Sequence, residues 1–434
     1  MLIPRAVNRL GYLLVFVFTF PLSCKTSTPL PLSERIYRYL TVQDSALQQE
    51  LLQTLDTKSI TLDTLKKIFQ AGFYPASPSC LGACQTSLKN LDGQSRILGY
   101  FVPETYTASQ SYPLLIFLHG GVNRPRKNKG ERYYEFMQSA ARIHQFIVAT
   151  PSGEQGATWF DQVGIENILS ALRFLKQHYR IDDNRIFIGG VSDGGSASFL
   201  LASIAAFPFA GFIAWSGYPG LLKETPLLQP RNFKNRPWYT VFTGKDHLYP
   251  ASQTEKYYQF LKNYGVPLTT HFYPNQPHGM DEYYKKEMDS LVEWIYLQNR
   301  APLPDTVDWT ALRPEWGRFS WVQIDGINPT SATGTFPLEK TVPPDLFHTF
   351  SQSGRIRVIR HENQVHIATR NISRFTLYFH ENQFDFSKKV DIILNNIPTF
   401  SDYLKPDKKC LLEDYRKLLD RQLLFSAQRS FSIN

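Results

Sequence analysis

Arg185-Ile186-Phe187-Ile188-Gly189-Gly190-Val191-Ser192-Asp193-Gly194-Gly195 is the stretch on which the reading of this chain turns. A short apolar run reads as a buried strand, and Ser196 to Ile204 after it reads as a helix. Between them, Gly190-Val191-Ser192-Asp193-Gly194 has the form G-x-S-x-G in a strand-turn-helix setting. So sharp a turn needs glycines at its flanks, where a Cβ would meet neighbouring backbone, and it holds the serine hydroxyl exposed at a helix N-terminus. Without that setting, a capping serine in a glycine-rich turn would explain the same letters.

Working outward, short apolar runs alternate with amphipathic segments from Ile97 to Gln298, the pattern of βαβ units and a mostly parallel sheet. Leu114 to Leu118, Phe146 to Thr150, Gly211 to Trp215, Trp238 to Thr243 and Thr269 to Tyr273 join Arg185 to Gly189 as predicted strands. Ile165, Ile168, Leu169, Leu172 and Leu175 mark one apolar helix face; Tyr257, Phe260, Leu261 and Tyr264 mark another. The fold class is therefore α/β.

A serine hydroxyl is a weak nucleophile and needs a base within hydrogen-bond reach. Two loops after later strands supply candidates: Asp246 in Gly244-Lys245-Asp246, and His278 in Pro277-His278-Gly279. Their competitors are worse placed. The order serine, acid, histidine resembles that of the α/β-hydrolases, and against it His247 precedes the last strand, His271 lies inside it, and Asp281 follows the histidine. The charge that develops on a tetrahedral intermediate also needs donors. Leu114 to Leu118 leads into His119-Gly120-Gly121, where glycines let amides approach a substrate oxygen. Gly121, or Gly120, and Asp193 are the expected backbone donors; the segment resembles the HGG element of lipases and esterases, which use this loop for its amides, and that implies a structural role for His119.

Taken in this order, Gly190-Val191-Ser192-Asp193-Gly194, Asp246, His278 and His119-Gly120-Gly121 resemble the α/β-hydrolase superfamily over about residues 97–298. Within it the chain looks most like secreted esterases of the polyhydroxybutyrate-depolymerase and feruloyl-esterase kind, with prolyl-oligopeptidase-like peptidases next. The resemblance implies an acyl-enzyme mechanism: Ser192 as nucleophile, His278 as base, Asp246 orienting the histidine, and no metal or organic cofactor. A small-molecule or polymeric ester is the expected substrate. A serine peptidase, and a surface binding lipoprotein with a hydrolase scaffold, are the rival readings. Oligomeric state leaves no mark in the sequence.

Several features carry two readings. Arg124, Arg126, Lys127, Lys129 and Arg132 follow the glycine loop; they either overhang the site, to select acidic acyl groups or dock on phospholipid, or form a solvated basic loop. Trp159, Trp215 and Tyr249 either line a pocket or fill the core. His361, His366 and His380 are read as solvent-facing strand histidines, with a metal site as the alternative.

At the start of the chain, Arg5 and Arg9 precede the apolar stretch Leu10 to Phe20, the order of an export signal. Pro21-Leu22-Ser23-Cys24 resembles a bacterial lipobox, which implies lipidation of Cys24 and membrane anchoring in the periplasm or at the cell surface; Pro21 stands where that motif has an aliphatic residue, and simple secretion or a retained buried helix is the alternative. Cys80, Cys84 and Cys410 then leave one thiol unpaired; Cys80 and Cys84 close a small loop, or one of them pairs with Cys410. The net charge of +9 suits anionic surfaces, but no nucleic-acid-binding motif accompanies it. From Ala301 the pattern changes to short alternating runs with Glu362-Asn363 and Asn395-Asn396 turns, predicting an antiparallel β domain. The expected division is an export signal over 1–24, a tether and helical segment over 25–90, an α/β-hydrolase domain over 91–300 and a β-sandwich-like domain over 301–434.

Overall fold

The computed structural model describes residues 30–433 except 43, 57, 75–77, 126–127, 224, 226, 281–282 and 349–351. The export segment and Cys24 lie outside the described residues. Among the described residues no helix is long and apolar enough to cross a membrane.

Three short helices come first: α1 (Leu32–Thr41), α2 (Ser45–Leu55) and α3 (Leu62–Ala71). The Asp44 carboxylate caps α2 by accepting from Leu47 N (2.8 Å), and the Thr61 hydroxyl caps α3 by accepting from Thr64 N (3.1 Å). Gly72, at φ 78°, ends α3 in a conformation that favours glycine.

An eight-stranded sheet follows, built from β1 (Gly82–Lys89), β2 (Ser95–Val102), β3 (Tyr112–Leu118), β4 (Ile147–Pro151), β5 (Ile181–Val191), β6 (Gly211–Trp215), β7 (Trp238–Lys245) and β8 (Leu268–Pro277). Its spatial order is β1-β2-β4-β3-β5-β6-β7-β8. Only β2 runs against its neighbours β1 and β4; the rest is parallel. The interleaved helices are α4 (Gln138–His144), α5 (Gln162–His178), α6 (Asp193–Ile204), α7 (Ala251–Tyr264) and α8 (Tyr284–Leu297). Parallel strands covered on both faces must be apolar throughout, and β3, β4 and β6 are buried at every residue. The sheet begins inside the segment expected to be tether and helices. β1 is an edge strand that buries mainly alternate residues at its start, so its polar Gln85 to Lys89 carries little strand signal.

The remainder forms two sheets, of order β10-β11-β14-β17 and β16-β15-β13-β12-β9. The strands are β9 (Thr306–Ala311), β10 (Arg318–Phe319), β11 (Val322–Ile327), β12 (Gly354–His361), β13 (Gln364–Arg370), β14 (Ile372–Phe379), β15 (Lys389–Leu394), β16 (Ile397–Tyr403) and β17 (Ala427–Ser432), with α9 (Lys408–Leu418) before the last. The expected turns hold positive φ at Glu362, Asn395 and Asn396. The domain is not wholly antiparallel: β13 and β15 pair in parallel, from Gln364 against Asp391 to Ile367 against Leu394. His361 and His366 are exposed, but His380 is buried, contrary to a solvent-facing reading. Its Nδ1 accepts from Asn382 N (3.0 Å), and burial pushes its pKa down to about 4. Cys80 bonds to Cys84, while Cys410 is a free, buried thiol whose pKa burial pushes up to about 12.

This domain shares a core with the eight-stranded sheet. Leu411, Leu412 and Tyr415 of α9 pack with Tyr39, Leu55 and Phe69 of the first helices. The Asn232 amide donates to the carbonyls of Ser203 and Thr310 and accepts from Thr310 N, so one side chain clamps β9 to the end of α6. Buried charges also cross the junction in pairs: Arg300 with Asp420 (2.8 Å), and Arg421 with Asp183 (2.9 Å), whose carboxylate also pairs with Lys176 on its own side (2.8 Å). Removing one partner of such a pair strands the other charge away from water. Asp420→Ala is therefore expected to cost about 3–5 kcal/mol in urea unfolding. A loss below about 1 kcal/mol would show that Arg300 does not depend on that carboxylate.

Candidate active site

Three loops at the carboxyl ends of β5, β7 and β8 converge, where an open α/β sheet places its ligands. The turn after β5 is tightly confined. Ser192 has φ 58° and ψ −119°, a left-handed conformation that a non-glycine residue holds only under constraint. Its N–H donates to the carbonyl of Trp215 on β6 (2.9 Å). A Cβ on Gly190 would stand 2.3 Å from the Leu118 carbonyl oxygen, and one on Gly194 would stand 2.1 Å from the same atom. The two motif glycines thus let β5 and α6 pass directly beside the end of β3.

Ser192 Oγ lies 2.8 Å from His278 Nε2, and His278 Nδ1 lies 2.7 Å from Asp246 Oδ2. Asp246 is buried, and its other oxygen accepts the N–H groups of Leu248 (2.9 Å) and Tyr249 (2.8 Å), which fixes the carboxylate against its own turn. The loop carrying His278 is held in turn: the Gly279 carbonyl accepts from the Ser216 hydroxyl (3.0 Å) and from the Tyr283 hydroxyl. The structure thus brings together Ser192, Asp246 and His278. His247 is exposed and stands outside this chain of hydrogen bonds. His271 faces away from it and pairs through Nδ1 with the buried Glu287 (2.6 Å). Asp281 lies outside the described residues.

Beside the serine is a cavity of about 490 Å³, lined by Gly120, Gly121, Arg124, Lys129, Asp193, Tyr249 and His278 among others. A Cβ on Gly120 would stand 2.8 Å from Ser192 Cβ, so only glycine lets the loop come this close. Neither the Gly121 N–H nor the Asp193 N–H has an acceptor among the described residues. Two free amides beside a hydroxyl that is hydrogen-bonded to an imidazole can receive negative charge from an attacked carbonyl.

The loop is braced from several sides. His119 is buried; its Nε2 accepts from Gly153 N (3.0 Å), so its proton sits on Nδ1, which donates to the Gly120 carbonyl (3.0 Å). The Asp193 side chain accepts from Val122 N (3.0 Å), tying the loop to the first turn of α6. Sequence reasoning singled out Asp193 for its backbone only. An acidic residue in a first helical turn is common, so nothing in the pattern disclosed this second use.

Of the aromatic candidates, Trp159 and Trp215 are core residues, and the indole N–H of Trp159 supports the loop by donating to the His119 carbonyl (2.9 Å). Tyr249 lines the cavity, sets its ring edge-on to His278 (centroids 5.2 Å apart) and brings its hydroxyl to Ser192 and Ser196. Of the basic residues, Arg124 and Lys129 face the cavity, Arg132 pairs with Glu135 at the surface, and Arg126 and Lys127 lie outside the described residues. No group of three or more His, Cys, Asp or Glu side chains among the described residues is arranged to hold a metal ion.

A mixed sheet with the Ser192 turn after β5, and with Asp246 and His278 after β7 and β8, gives the domain the α/β-hydrolase fold. Residues 105–299 of that domain match the phospholipase/carboxylesterase family. The chain is 25% identical over 259 residues to the bifunctional acetylxylan esterase/xylanase XynS20E of Neocallimastix patriciarum, covering 57% of this chain and 36% of that protein. It thus spans about a third of the length of that curated relative. Among solved structures, a thermostable esterase matches at 20% identity and TM-score 0.42, over 50% of this chain and 63% of its own. The S-formylglutathione hydrolase of Staphylococcus aureus matches at 16% identity and TM-score 0.42, over 50% and 99%.

Burial pushes the pKa of His119 down to about 4, and protonating Nε2 would forfeit the bond from Gly153. A base whose folded value lies below its unfolded one, about 6.5, contributes stability that is complete above that value and is lost as pH falls toward the folded value. His119→Gln cannot take up that proton. The stability advantage of the wild type over this variant should shrink by about 2 kcal/mol between pH 7 and pH 5, measured by urea unfolding. A difference independent of pH would contradict this placement of the proton.

Proposed function

We propose that the domain hydrolyses carboxylic esters through an acyl-enzyme on Ser192. The observation that carries this reading is the unbroken hydrogen-bond chain from Ser192 Oγ through His278 to the buried Asp246. In the proposed cycle His278 Nε2 takes the hydroxyl proton as Oγ attacks the ester carbonyl. The N–H groups of Gly121 and Asp193 receive the oxyanion, and the same imidazole returns the proton to the leaving alkoxide. Water, deprotonated in its turn by His278, attacks the acyl-enzyme and releases the acid. Asp246 holds the Nδ1–H tautomer and stabilises the imidazolium. Every proton that leaves Ser192 or water returns to alcohol or serine, so no cofactor is required.

The family of phospholipases and carboxylesterases, and the relative named as an acetylxylan esterase/xylanase, support an ester as the bond broken. A cavity open beside Ser192 accommodates a small ester or the end of a polymeric one.

The test is turnover of a panel of p-nitrophenyl esters beside aminoacyl p-nitroanilides. Esters should be cleaved well and anilides poorly. Ser192→Ala should abolish ester turnover, and Asp246→Asn should lower kcat about 10⁴-fold by favouring the wrong imidazole tautomer. Wild-type preference for anilides would make the protein a peptidase, and substantial ester turnover by Ser192→Ala would sink the mechanism.

A further inference from the structure

Lys129 takes part in the site in a way its membership of a basic loop does not disclose. Its ammonium donates to the Gly120 carbonyl (3.1 Å) and stands 3.0 Å from the position a Cβ on Gly121 would take. The same carbonyl accepts from His119 Nδ1. Gly120 C=O and Gly121 N–H are the two ends of one peptide group. Donors on the oxygen draw electron density from the amide nitrogen and make its N–H a stronger donor, most of all when the donor is charged. Two donors also fix the plane of that peptide, and the bond from Val122 N to Asp193 fixes the next one.

The lysine is held in place by backbone. Gly130, its neighbour, donates its N–H to Ser152 Oγ (3.0 Å) and accepts from Thr150 Oγ1 (2.6 Å). A Cβ on Gly130 would stand 2.4 Å from Pro151 C and from Thr150 O, so the chain at this point is pressed against the end of β4. The Lys129 stem therefore starts from a fixed point and reaches across to the glycine loop.

We propose that Lys129 is a positioning residue that polarises and aligns the Gly120–Gly121 peptide, setting the strength with which Gly121 N–H holds the oxyanion. The proposal rests on the reading that Ser192 attacks an ester carbonyl whose oxygen turns to that amide. It assigns the lysine an effect chiefly on the transition state, since its bond to the Gly120 carbonyl reaches the substrate through the Gly121 amide, whose acceptor gains charge only as the oxyanion forms.

The experiment compares wild type, Lys129→Met and Lys129→Arg in ester turnover and in affinity for two inhibitors of one shape, a trifluoromethyl ketone and its methyl ketone. The first adds Ser192 Oγ to its carbonyl and places an oxyanion in the hole; the second binds without addition. Lys129→Met should lower kcat by about ten- to hundredfold, a fraction of what removing an oxyanion donor costs, with KM little changed. It should weaken the trifluoromethyl ketone by a similar factor and leave the methyl ketone unaffected. Lys129→Arg, which keeps charge and donor, should recover most of both losses. If Lys129→Met does not fold, Lys129→Gln, a neutral donor, takes its place, and the predicted losses are smaller but fall on the same two quantities.

A folded Lys129→Met with undiminished trifluoromethyl ketone affinity, or with a loss confined to KM, would overturn the proposal. Those outcomes leave the serine mechanism standing. Ester turnover surviving in Ser192→Ala would instead remove the reading beneath it.

Discussion

The carbonyl of Leu118 is the point on which this site depends. The end of β3, the glycines on either side of the Ser192 turn and the first turn of α6 all meet there, at separations a single methyl group would abolish. Because the chain can pass so closely, Ser192 is forced into a left-handed conformation and its hydroxyl is lifted out of the sheet toward His278. The same proximity sets the glycine loop after β3 beside the serine. A strained backbone persists only where its surroundings over-determine it, and here they do: the Trp215 carbonyl takes the serine N–H, and the Asp193 carboxylate takes an amide from the facing loop.

That constraint explains which parts of the site could be read from the sequence. Ser192, Asp246 and His278 each sit just after a strand with its own apolar signature, so local pattern and chain order suffice to single them out. The glycines of the turn and the loop are legible for the same reason, since close backbone approach leaves no other residue. Lys129 and the Asp193 carboxylate are not, because their partners are a carbonyl and an amide brought near only by folding. Composition marked Lys129 as one of five basic residues; only the position of Gly120 separates it from the rest.

The fold shows the same division. Helices with capping residues and fully apolar strands follow the pattern, whereas β1, a half-polar edge, gives little sign of itself. The parallel pairing of β13 with β15 and the burial of His380 depend on how distant strands assemble, which period-2 alternation does not encode. The change of character near Ala301 is real in the sequence but does not mark a loose junction, as buried ion pairs and the Asn232 clamp cross it.

The central claim is that Ser192, His278 and the Gly121 and Asp193 amides act on one tetrahedral centre. A crystal structure of the protein inactivated by a fluorophosphonate tests it most directly, because the phosphonate mimics that centre. The account predicts phosphorus bonded to Ser192 Oγ, the phosphoryl oxygen about 2.7–3.1 Å from both amide nitrogens, and His278 still bonded to Asp246. Phosphorus on another residue, or a phosphoryl oxygen turned away from both amides, would contradict it.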